Sequence, residues 1–456
     1  MSGLAAAFRD MGYKITGSDR GAKNPENAHI IQPLQNIGVE IFPQDGSYIQ
    51  AGTPDALVFS SAIEEDNPDF LAGKGIKRLH RSEVLAQLIS AAAGNNQCSI
   101  AVTGSCGKST VTAYLAEALL NLNASPKCLN GAVSKRFMSD SCVGNYRSGN
   151  GKYFVFEADE SDKSLLNYSA DYAVILNIGT DHYSKEELAQ VFGTFLKQTK
   201  KGAVLDRDVY EEVKDFIPEH LEIKVFENTL SESADYAVCN YKLDKSVTPP
   251  RPLTVFSGSN KELVLPQCGF HMAKNALAII AMLELVGYSR EQAEQAILRF
   301  DGIKRRTDFA GNNSAGFAVY DDYAHNPEKI ASCIETMQGL ANGKVIAIFQ
   351  PHGYGPFGFM RDELLDILEK SLRKDDLFCL LEPYYAGGTS SKKPSAIEVW
   401  QDWQSKADNP QKYFVFPDRK SLAEFVKTNA SIGDVTVIMG ARDNSLSSYA
   451  KELTLI

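Results

Sequence analysis

The sequence has little that would tie it to a membrane or to the cell exterior. It contains no run of about 18 or more apolar residues, so no transmembrane helix is expected. No basic stretch followed by an apolar run and a small-residue cleavage site opens the chain, which argues against a secretory signal. The eight cysteines are scattered and none forms a C-x-x-C pair. A disulfide framework or zinc ribbon is therefore not expected. We expect a reducing, cytoplasmic location instead.

The chain also has fewer positively charged than negatively charged side chains. The chain has 47 Lys and Arg against 57 Asp and Glu, for a formal net charge of -10. General binding to nucleic acid requires a basic surface, so nucleic acid is not expected as a partner. A local basic pocket for a nucleotide remains compatible with this balance. The 456 residues exceed what one hydrophobic core supports, which predicts two to four domains.

Short apolar strands alternate with helices in three blocks of sequence. The first block covers 1–94 and ends at the polar run Gly94-Asn95-Asn96-Gln97. The second covers 95–313 and includes a predicted helix at Asn275–Val286. The third covers 314–456, with predicted strands at Phe317–Tyr320, Val345–Phe349, Leu377–Leu381 and Val435–Met439 and predicted helices at Pro327–Leu340, Asp362–Leu372 and near Ser421–Thr428. Alternating strands and helices are typical of parallel sheets with helices on their faces. We therefore predict an α/β protein of three domains with these boundaries.

The clearest motif lies between a predicted strand at 99–102 and a predicted helix at 108–122. It reads Thr103-Gly104-Ser105-Cys106-Gly107-Lys108-Ser109-Thr110. Glycines let backbone N–H groups turn toward an anion, and a helix N-terminus adds positive potential. Lys108 would contact phosphates and Ser109 would hold Mg²⁺. The candidate ATP-binding residues are Gly104, Ser105, Cys106, Gly107, Lys108, Ser109 and Thr110. The glycine spacing is shorter than in the common P-loop, and the alternative is a glycine-rich turn with an exposed lysine.

Two further polar segments follow predicted strands of the same block. Glu157-Ala158-Asp159-Glu160-Ser161-Asp162 follows the strand at 154–156, and His182 comes shortly after the strand at 172–176. A charge run is usually a solvated turn, and a lone histidine is often structural. Ligand sites of parallel sheets, however, lie at the carboxyl ends of the strands. The position therefore favours a Mg²⁺ site that includes Glu157 and His182.

Taken together, these motifs resemble the Mur ligase family, most closely the members that add L-alanine or murein tripeptide. Glu157 to Asp162 matches E-A-D-E-S-D, and Asn177 to His182 resembles N-x-x-x-D-H. Three later segments resemble G-x-H-N-x-x-N-A, F-x-G-x-x-R-R and D-D-Y-x-H-x-P, namely Gly269 to Ala276, Phe300 to Arg306 and Asp321 to Pro327. The resemblance spans the chain and keeps the order of the motifs.

The resemblance implies an N-terminal Rossmann-like domain that binds a UDP-sugar, a central P-loop ATPase-type parallel sheet and a C-terminal Rossmann-like domain. It implies a ligase of cell-wall precursor synthesis, in which ATP phosphorylates a carboxylate and an amine attacks the acyl phosphate. The implied cofactors are ATP and Mg²⁺. The implied substrates are UDP-N-acetylmuramate or a close relative and an amino acid or peptide. A monomer or weak homodimer is expected.

Roles for single residues follow from the matched motifs. The catalytic residues would be Lys108, Glu157 and His182, and the Mg²⁺ ligands Ser109, Glu157 and His182. The remaining nucleotide-binding residues would be Asn275, Arg306, Asp322 and His325. Asn275 would read adenine, with a helix N-terminal cap as the alternative. For His325 the alternative is a turn residue ahead of Asn326-Pro327.

The sequence departs from the family pattern at both ends. The strand and glycine-rich turn that precede Met1-Ser2-Gly3-Leu4-Ala5 in the family are absent, so we expect a start upstream. Gln350 to Phe357 resembles Q-P-H-R-Y-S-R-T without its two arginines, and Arg442 is added in a later segment. The candidate acceptor-binding residues are His352, Tyr354 and Arg442, because arginine recognises carboxylates. Arg442 is alternatively a surface charge. A different acceptor, an inactive nucleotide-binding subunit and a simple phosphotransferase remain open.

Overall fold

The computed structural model describes residues 1–179, 183–259, 261–384 and 392–456. The chain divides into two compact units. The N-terminal unit comprises 1–242 and 252–304, and the C-terminal unit comprises 243–251 and 305–456. Every helix in the described part of the chain is too short or too polar to cross a membrane.

The first 94 residues contribute four helices and four short strands to the N-terminal unit. In chain order these are α1 (Ser2–Asp10), β1 (Thr16–Ser18), α2 (Ala28–Asn36), β2 (Glu40–Phe42), β3 (Ala56–Phe59), α3 (Pro68–Ala72), β4 (Lys77–His80) and α4 (Arg81–Gly94). β1 pairs with β2 and β3 with β4, both in parallel, as two separate sheets. A capping box between His80 and Glu83 starts α4 and so fixes the position of Arg81.

A seven-stranded sheet forms the centre of the N-terminal unit. Its elements are β5 (Cys98–Thr103), α5 (Lys108–Asn121), β6 (Lys127–Leu129), β7 (Tyr146–Arg147), β8 (Tyr153–Glu157), β9 (Tyr172–Ile175), α6 (Lys185–Gln198), β10 (Gly202–Asp206), α7 (Arg207–Val213) and β11 (Glu222–Phe226). The strand order is β11-β10-β9-β5-β8-β6-β7. All pairings that the structure describes in this sheet are parallel except that of β7 with β6.

The central strands are mostly apolar, and both faces of the sheet are covered. Ile100 and Val102 of β5 pack into the core that contains α5, whereas Ala101 packs into the core that contains α6. Alternate residues of a strand point to opposite faces, so this distribution places one core on each side. Polar residues remain at the strand ends, and the order β9-β5-β8-β6 brings the carboxyl ends of four strands together.

The chain continues through β12 (Val238–Asp244), β13 (Arg251–Phe256), β14 (Leu263–Val264), α8 (Phe270–Leu285) and α9 (Arg290–Ala296). The three strands form one sheet in the order β12-β13-β14. The prediction that α8 begins at Asn275 is wrong, because Gly269 is its N-cap. Asn275 therefore lies inside the helix, which excludes the N-cap alternative. The start of α8 was not apparent in the sequence, because polar residues such as His271 and Lys274 precede the apolar run.

The C-terminal unit contains a six-stranded sheet with helices between its strands. Its elements are β15 (Asp308–Asn312), β16 (Ala318–Asp322), α10 (Pro327–Leu340), β17 (Val345–Phe349), α11 (Tyr354–Ser371), β18 (Leu377–Leu381), α12 (Ala396–Lys406), β19 (Tyr413–Phe416), α13 (Arg419–Asn429), β20 (Val435–Met439) and α14 (Leu446–Leu453). The order is β15-β16-β20-β17-β18-β19, and only the edge strand β15 pairs antiparallel.

Arg305 ties several parts of the C-terminal unit together. Its guanidinium donates to Asp321 Oδ1 at 3.2 Å, to the Gly440 carbonyl at 2.6 Å and to the Asp443 carbonyl at 3.1 Å. Arg305 is 7% exposed and has a φ of +59°. Because a buried cation needs such partners, Arg305 is a structural residue that links β16 to the segment after β20.

Candidate active site

The phosphate loop joins β5 to α5 at the carboxyl edge of the central sheet. Gly104 and Gly107 have φ values of +131° and +86°. L-residues other than glycine rarely adopt such values. A Cβ on Gly104 would also lie 3.1 Å from Leu176 and from the Asn177 backbone nitrogen. Both glycines are thus required by the loop conformation, and Gly107 is the N-cap of α5.

Asn177, immediately after β9, fixes the loop from the side. Its Oδ1 accepts from the Cys106 N–H at 2.8 Å, and its Nδ2 donates to the Cys106 carbonyl at 2.9 Å. The Gly179 N–H donates to Ser105 Oγ at 2.7 Å. The motif comparison contained Asn177 but assigned it no role. The position of Asn177 after a buried strand was the sequence signal that could have indicated a role in the site.

Lys108 starts α5 and its ammonium lies within the loop. Nζ donates to the Gly104 carbonyl at 2.9 Å and lies 3.0 and 2.9 Å from the two carboxylate oxygens of Glu160. Burial opposes the charge on Lys108, but Glu160 outweighs it and raises the pKa of Lys108 above its ordinary value. Lys108 is therefore a fixed cation at the place where a phosphate would meet the N–H groups of the loop.

The acidic segment after β8 is paired with cations. Besides Glu160, Asp159 and Asp162 both contact Arg81, at 3.1 and 2.9 Å. These pairs remove most of the repulsion between neighbouring carboxylates. The carboxylates of the segment are therefore paired with cations, and the segment is not the solvated turn that its composition alone would indicate.

Glu157 and Ser109 contact the same turn after β6. The Gly131 N–H donates to Glu157 Oε2 at 2.8 Å, and Asn130 Nδ2 donates to the Ser109 carbonyl at 3.0 Å. A hydroxyl and a carboxylate are oxygen ligands of the kind that Mg²⁺ prefers. Within the described ranges, no three His, Cys, Asp or Glu side chains converge on one point. His182 lies outside the described residues.

The remaining predicted residues of the central unit border the loop. Ser105, Ser109 and Thr110 are half-buried and Cys106 is exposed. A Cβ on Gly107 would lie 3.5 Å from Asn275 Oδ1, so α8 brings the Asn275 amide next to the phosphate loop. The structure thus places all the described loop residues, Glu157 and Asn275 around one sheet edge.

The other predicted nucleotide-binding residues belong to the C-terminal unit. Asp322 ends β16, and its carboxylate accepts from the Thr307 N–H at 2.7 Å and the Ala324 N–H at 2.8 Å. Burial raises the pKa of Asp322, against the opposing effect of the Arg306 guanidinium. The Arg306 guanidinium also lies 5.4 Å from the Tyr323 ring centroid. Asp322 thus ties the residue before β15 to the turn after β16.

Two histidines meet at the carboxyl edge of the same sheet. The rings of His325 and His352 are edge-to-face, with centroids 5.3 Å apart. His325 Nδ1 lies 2.8 Å from the Tyr323 carbonyl, whereas Asn326 caps α10. Burial, with His325 and Arg442 nearby, lowers the pKa of His352 to about 4. His352 is therefore neutral at physiological pH, and its buried Nδ1 has no hydrogen-bond partner among the described residues.

Tyr354 and Arg442 differ in their exposure. Tyr354, at the start of α11, is 6% exposed and its hydroxyl hydrogen bonds to Glu382, which together with burial raises its pKa. Arg442 is exposed, with a φ of +60°. The helix α11 starts at Tyr354, so the prediction of a start at Asp362 is wrong. Gly355 and Pro356 obscured the helix in the sequence, although the first turn tolerates proline.

Comparison with known proteins identifies the family to which these domains belong. Models of the Mur ligase catalytic, middle and glutamate ligase domains match residues 1–93, 102–283 and 305–442. The UDP-N-acetylmuramate–L-alanine ligase of Agrobacterium fabrum is 30% identical over 454 residues, covering 97% of this chain and 91% of the relative.

Two solved structures share the fold. The UDP-N-acetylmuramate–alanine ligase of Thermotoga maritima matches with a TM-score of 0.77 and 24% identity, covering 99% of this chain and 95% of that one. The MurF ligase of Thermotoga maritima in complex with ADP matches with a TM-score of 0.60 and 18% identity, over 88% and 96%. The predicted three-domain α/β fold is confirmed. The chain therefore belongs to the Mur ligase family of ATP-dependent, ADP-forming amide ligases, which act in peptidoglycan precursor synthesis.

Proposed function

We propose that this chain joins the carboxylate of UDP-N-acetylmuramate to the amine of L-alanine, after ATP has activated the carboxylate as an acyl phosphate. The observation that carries the proposal is the convergence of the phosphate loop, Lys108 and Glu157 at one edge of the central sheet. A preorganised cation and backbone N–H groups stabilise charge on a transferring phosphoryl group. The choice of substrates follows the name of the relative from Agrobacterium fabrum.

Lys108 would contact the phosphate that is transferred, and the N–H groups of residues 104–110 would hold the others. Ser109 and Glu157, with His182, would hold Mg²⁺, which reduces the negative charge of the phosphates. The two hydrogen bonds that hold Ser109 and Glu157 to Asn130-Gly131 keep both residues in place. Asn275 would bind adenine, since its amide can both donate and accept.

Arg306, Asp322 and His325 are proposed to take part in nucleotide binding. Support comes from Arg306, whose guanidinium lies over the Tyr323 ring and offers a fork of donors to phosphate. His325 is in turn placed against His352.

The acceptor is proposed to bind at the carboxyl edge of the C-terminal sheet. Arg442, exposed beside His352, would hold its carboxylate. Tyr354 would shape this site through its bond to Glu382. Replacing Arg442 with alanine should raise KM for the acceptor and leave the affinity for ATP unchanged. An unchanged acceptor KM would eliminate this role.

We also propose that the protein acts in the cytoplasm as a monomer or weak homodimer. All eight cysteines are free thiols in the structure, which suits a reducing compartment.

The test is phosphate release from ATP with Mg²⁺, UDP-N-acetylmuramate and each of the 20 amino acids in turn. Release that requires both the sugar nucleotide and L-alanine supports the proposal. Release that requires a different amino acid, or that occurs only when murein tripeptide is supplied in place of the amino acids, would reassign the acceptor. Release without any amine would indicate a phosphotransferase, and no release with any pair would contradict the proposal.

A further inference from the structure

Lys108 has a close counter-ion that the sequence motifs did not assign. Both carboxylate oxygens of Glu160 lie within 3.0 Å of its ammonium. The side chains of Lys108 and Glu160 are only 15% and 7% exposed. A pair so shielded from water interacts more strongly than a surface ion pair.

The pairing is specific within the acidic segment. Asp159 and Asp162 contact Arg81 at the start of α4, and only Glu160 reaches Lys108 among the ion pairs of the described residues. The backbone holds Glu160 in position, since the Lys163 N–H donates to its carbonyl at 3.0 Å. The backbone bond closes the turn that carries Glu160, and the contact with Lys108 holds its carboxylate.

A phosphate that enters the loop encounters both charges. Its oxygens are attracted by Lys108 and repelled by the carboxylate a few ångströms away. Glu160 and the phosphate also compete for the same N–H donors of the ammonium. Meanwhile Glu160 and the Gly104 carbonyl hold the ammonium toward the loop, which keeps a long and flexible side chain in one geometry.

We propose that Glu160 is a positioning residue for Lys108, which orients the ammonium for phosphoryl transfer and weakens ground-state binding of the nucleotide. The inference rests on the proposed function, because it assumes that the loop binds the phosphates of ATP. Removing the Glu160 charge strengthens binding of the ground-state nucleotide but does not stabilise the transition state. The affinity for nucleotide therefore rises while kcat falls.

The decisive variant is Glu160→Gln, which keeps the shape and removes the charge. ADP with Mg²⁺ should bind about tenfold more tightly in calorimetric titration, since a like charge within several ångströms is removed. The kcat should fall about tenfold, because the ammonium is no longer held in place. Glu160→Asp, which keeps the charge but shortens the reach, should lower kcat with ADP affinity near that of the wild type. This second variant tests orientation even where Glu160→Gln does not fold.

Asp162→Asn is the matched control. It makes the same change of charge in the same segment, but at a carboxylate that contacts Arg81. Its affinity for ADP should change far less than that of Glu160→Gln, because the ammonium of Lys108 keeps its counter-ion. Equal tightening of ADP binding in Asp162→Asn and Glu160→Gln would indicate a long-range charge effect and would overturn the inference.

Lys108→Ala separates this inference from the proposed function. If Lys108→Ala leaves ADP affinity unchanged, the loop does not bind phosphate through Lys108, and the proposed function of the loop fails. If Lys108→Ala weakens binding but Glu160→Gln behaves as the wild type, only the role of Glu160 is refuted. In the Lys108→Ala background, repulsion of the phosphate by Glu160 persists but competition for the ammonium is lost, so Glu160→Gln should tighten ADP binding less than it does in the wild-type background. Equal tightening in both backgrounds would show that Glu160 acts independently of Lys108 and would overturn the positioning role.

Discussion

Glu117, in the middle of α5, is a carboxylate with no exposure to solvent. Its two oxygens accept from Ser134 Oγ at 2.9 Å and from the Asp301 N–H at 3.0 Å, and the Arg136 guanidinium is 3.9 Å away. Burial, despite these partners, raises the pKa of Glu117 from 4.5 to about 7. The folded chain therefore binds this proton more tightly than the unfolded chain does.

The magnitude follows from the two pKa values. A tenfold difference in proton affinity is worth about 1.4 kcal/mol, so the rise at Glu117 corresponds to about 3 kcal/mol. Because the pKa is raised on folding, this stability is fully present below about pH 4.5. It is lost as the pH rises through about 7. Glu117→Gln keeps the shape without titrating, so at pH 8 it should be more stable than the wild type by up to about 3 kcal/mol.

Urea unfolding between pH 5 and 8 measures this difference. Both tryptophans, Trp400 and Trp403, lie in the C-terminal unit, so their fluorescence serves as an internal reference. Hydrogen exchange of the α5 amides reports on the unit that contains Glu117. The advantage of Glu117→Gln should grow from pH 5 to pH 8, while the same substitution at the exposed Glu219 should have no effect. An advantage that is absent at pH 8, or equal at both pH values, would show that Glu117 does not bind its proton more tightly in the folded chain.

Three further substitutions test other parts of the structure. Gly107→Ala forces a left-handed conformation on a residue with a Cβ, which costs about 1–2 kcal/mol. It should weaken ADP binding about tenfold in calorimetric titration, and an unchanged affinity would contradict the role of the loop. Asn177→Ala removes two hydrogen bonds to Cys106 and should raise KM for ATP about tenfold, as steady-state kinetics would show. Arg305→Ala leaves the Asp321 carboxylate buried without its cation and should destabilise the C-terminal unit by about 3–5 kcal/mol, seen by tryptophan fluorescence in urea; a loss under 1 kcal/mol would argue against it.

Regular elements with sharp sequence boundaries were predicted well. The predicted strands Val345–Phe349, Leu377–Leu381 and Val435–Met439 have the bounds that the structure shows. The first two are continuous apolar runs and the third is interrupted by Thr436 alone, as expected for parallel strands buried on both faces. The helix Pro327–Leu340 was also correct, because Asn326-Pro327 supplies a cap and a first helical residue.

Elements without such boundaries were missed. The helices α8 and α11 begin several residues before the predicted starts, because glycine, proline and charged residues occupy their first turns. The strands of the sheet β12-β13-β14 were not predicted, since their pattern alternates and one face is polar. In such segments tertiary packing decides the structure more than local preference does.

The candidate site was predictable as far as local motifs extend. Residues Gly104 to Thr110 and Glu157 were placed correctly at strand ends, because a parallel sheet brings its carboxyl ends together. The assignment of each residue to a ligand remains a prediction. The ion pair of Lys108 with Glu160 joins residues 52 positions apart. The acidic run offered four carboxylates, and no rule of spacing selects the one that packs against a lysine on another element.

In the proposed reaction, ATP activates a carboxylate of the substrate. This step is tested with UDP-N-acetylmuramate that carries ¹⁸O in its carboxylate, together with ATP, Mg²⁺ and L-alanine, by measuring the isotope in the released phosphate. An acyl phosphate transfers one labelled oxygen to phosphate when the amine displaces it, so the released phosphate should carry one ¹⁸O for each amide bond formed. Unlabelled phosphate formed alongside the amide would contradict it.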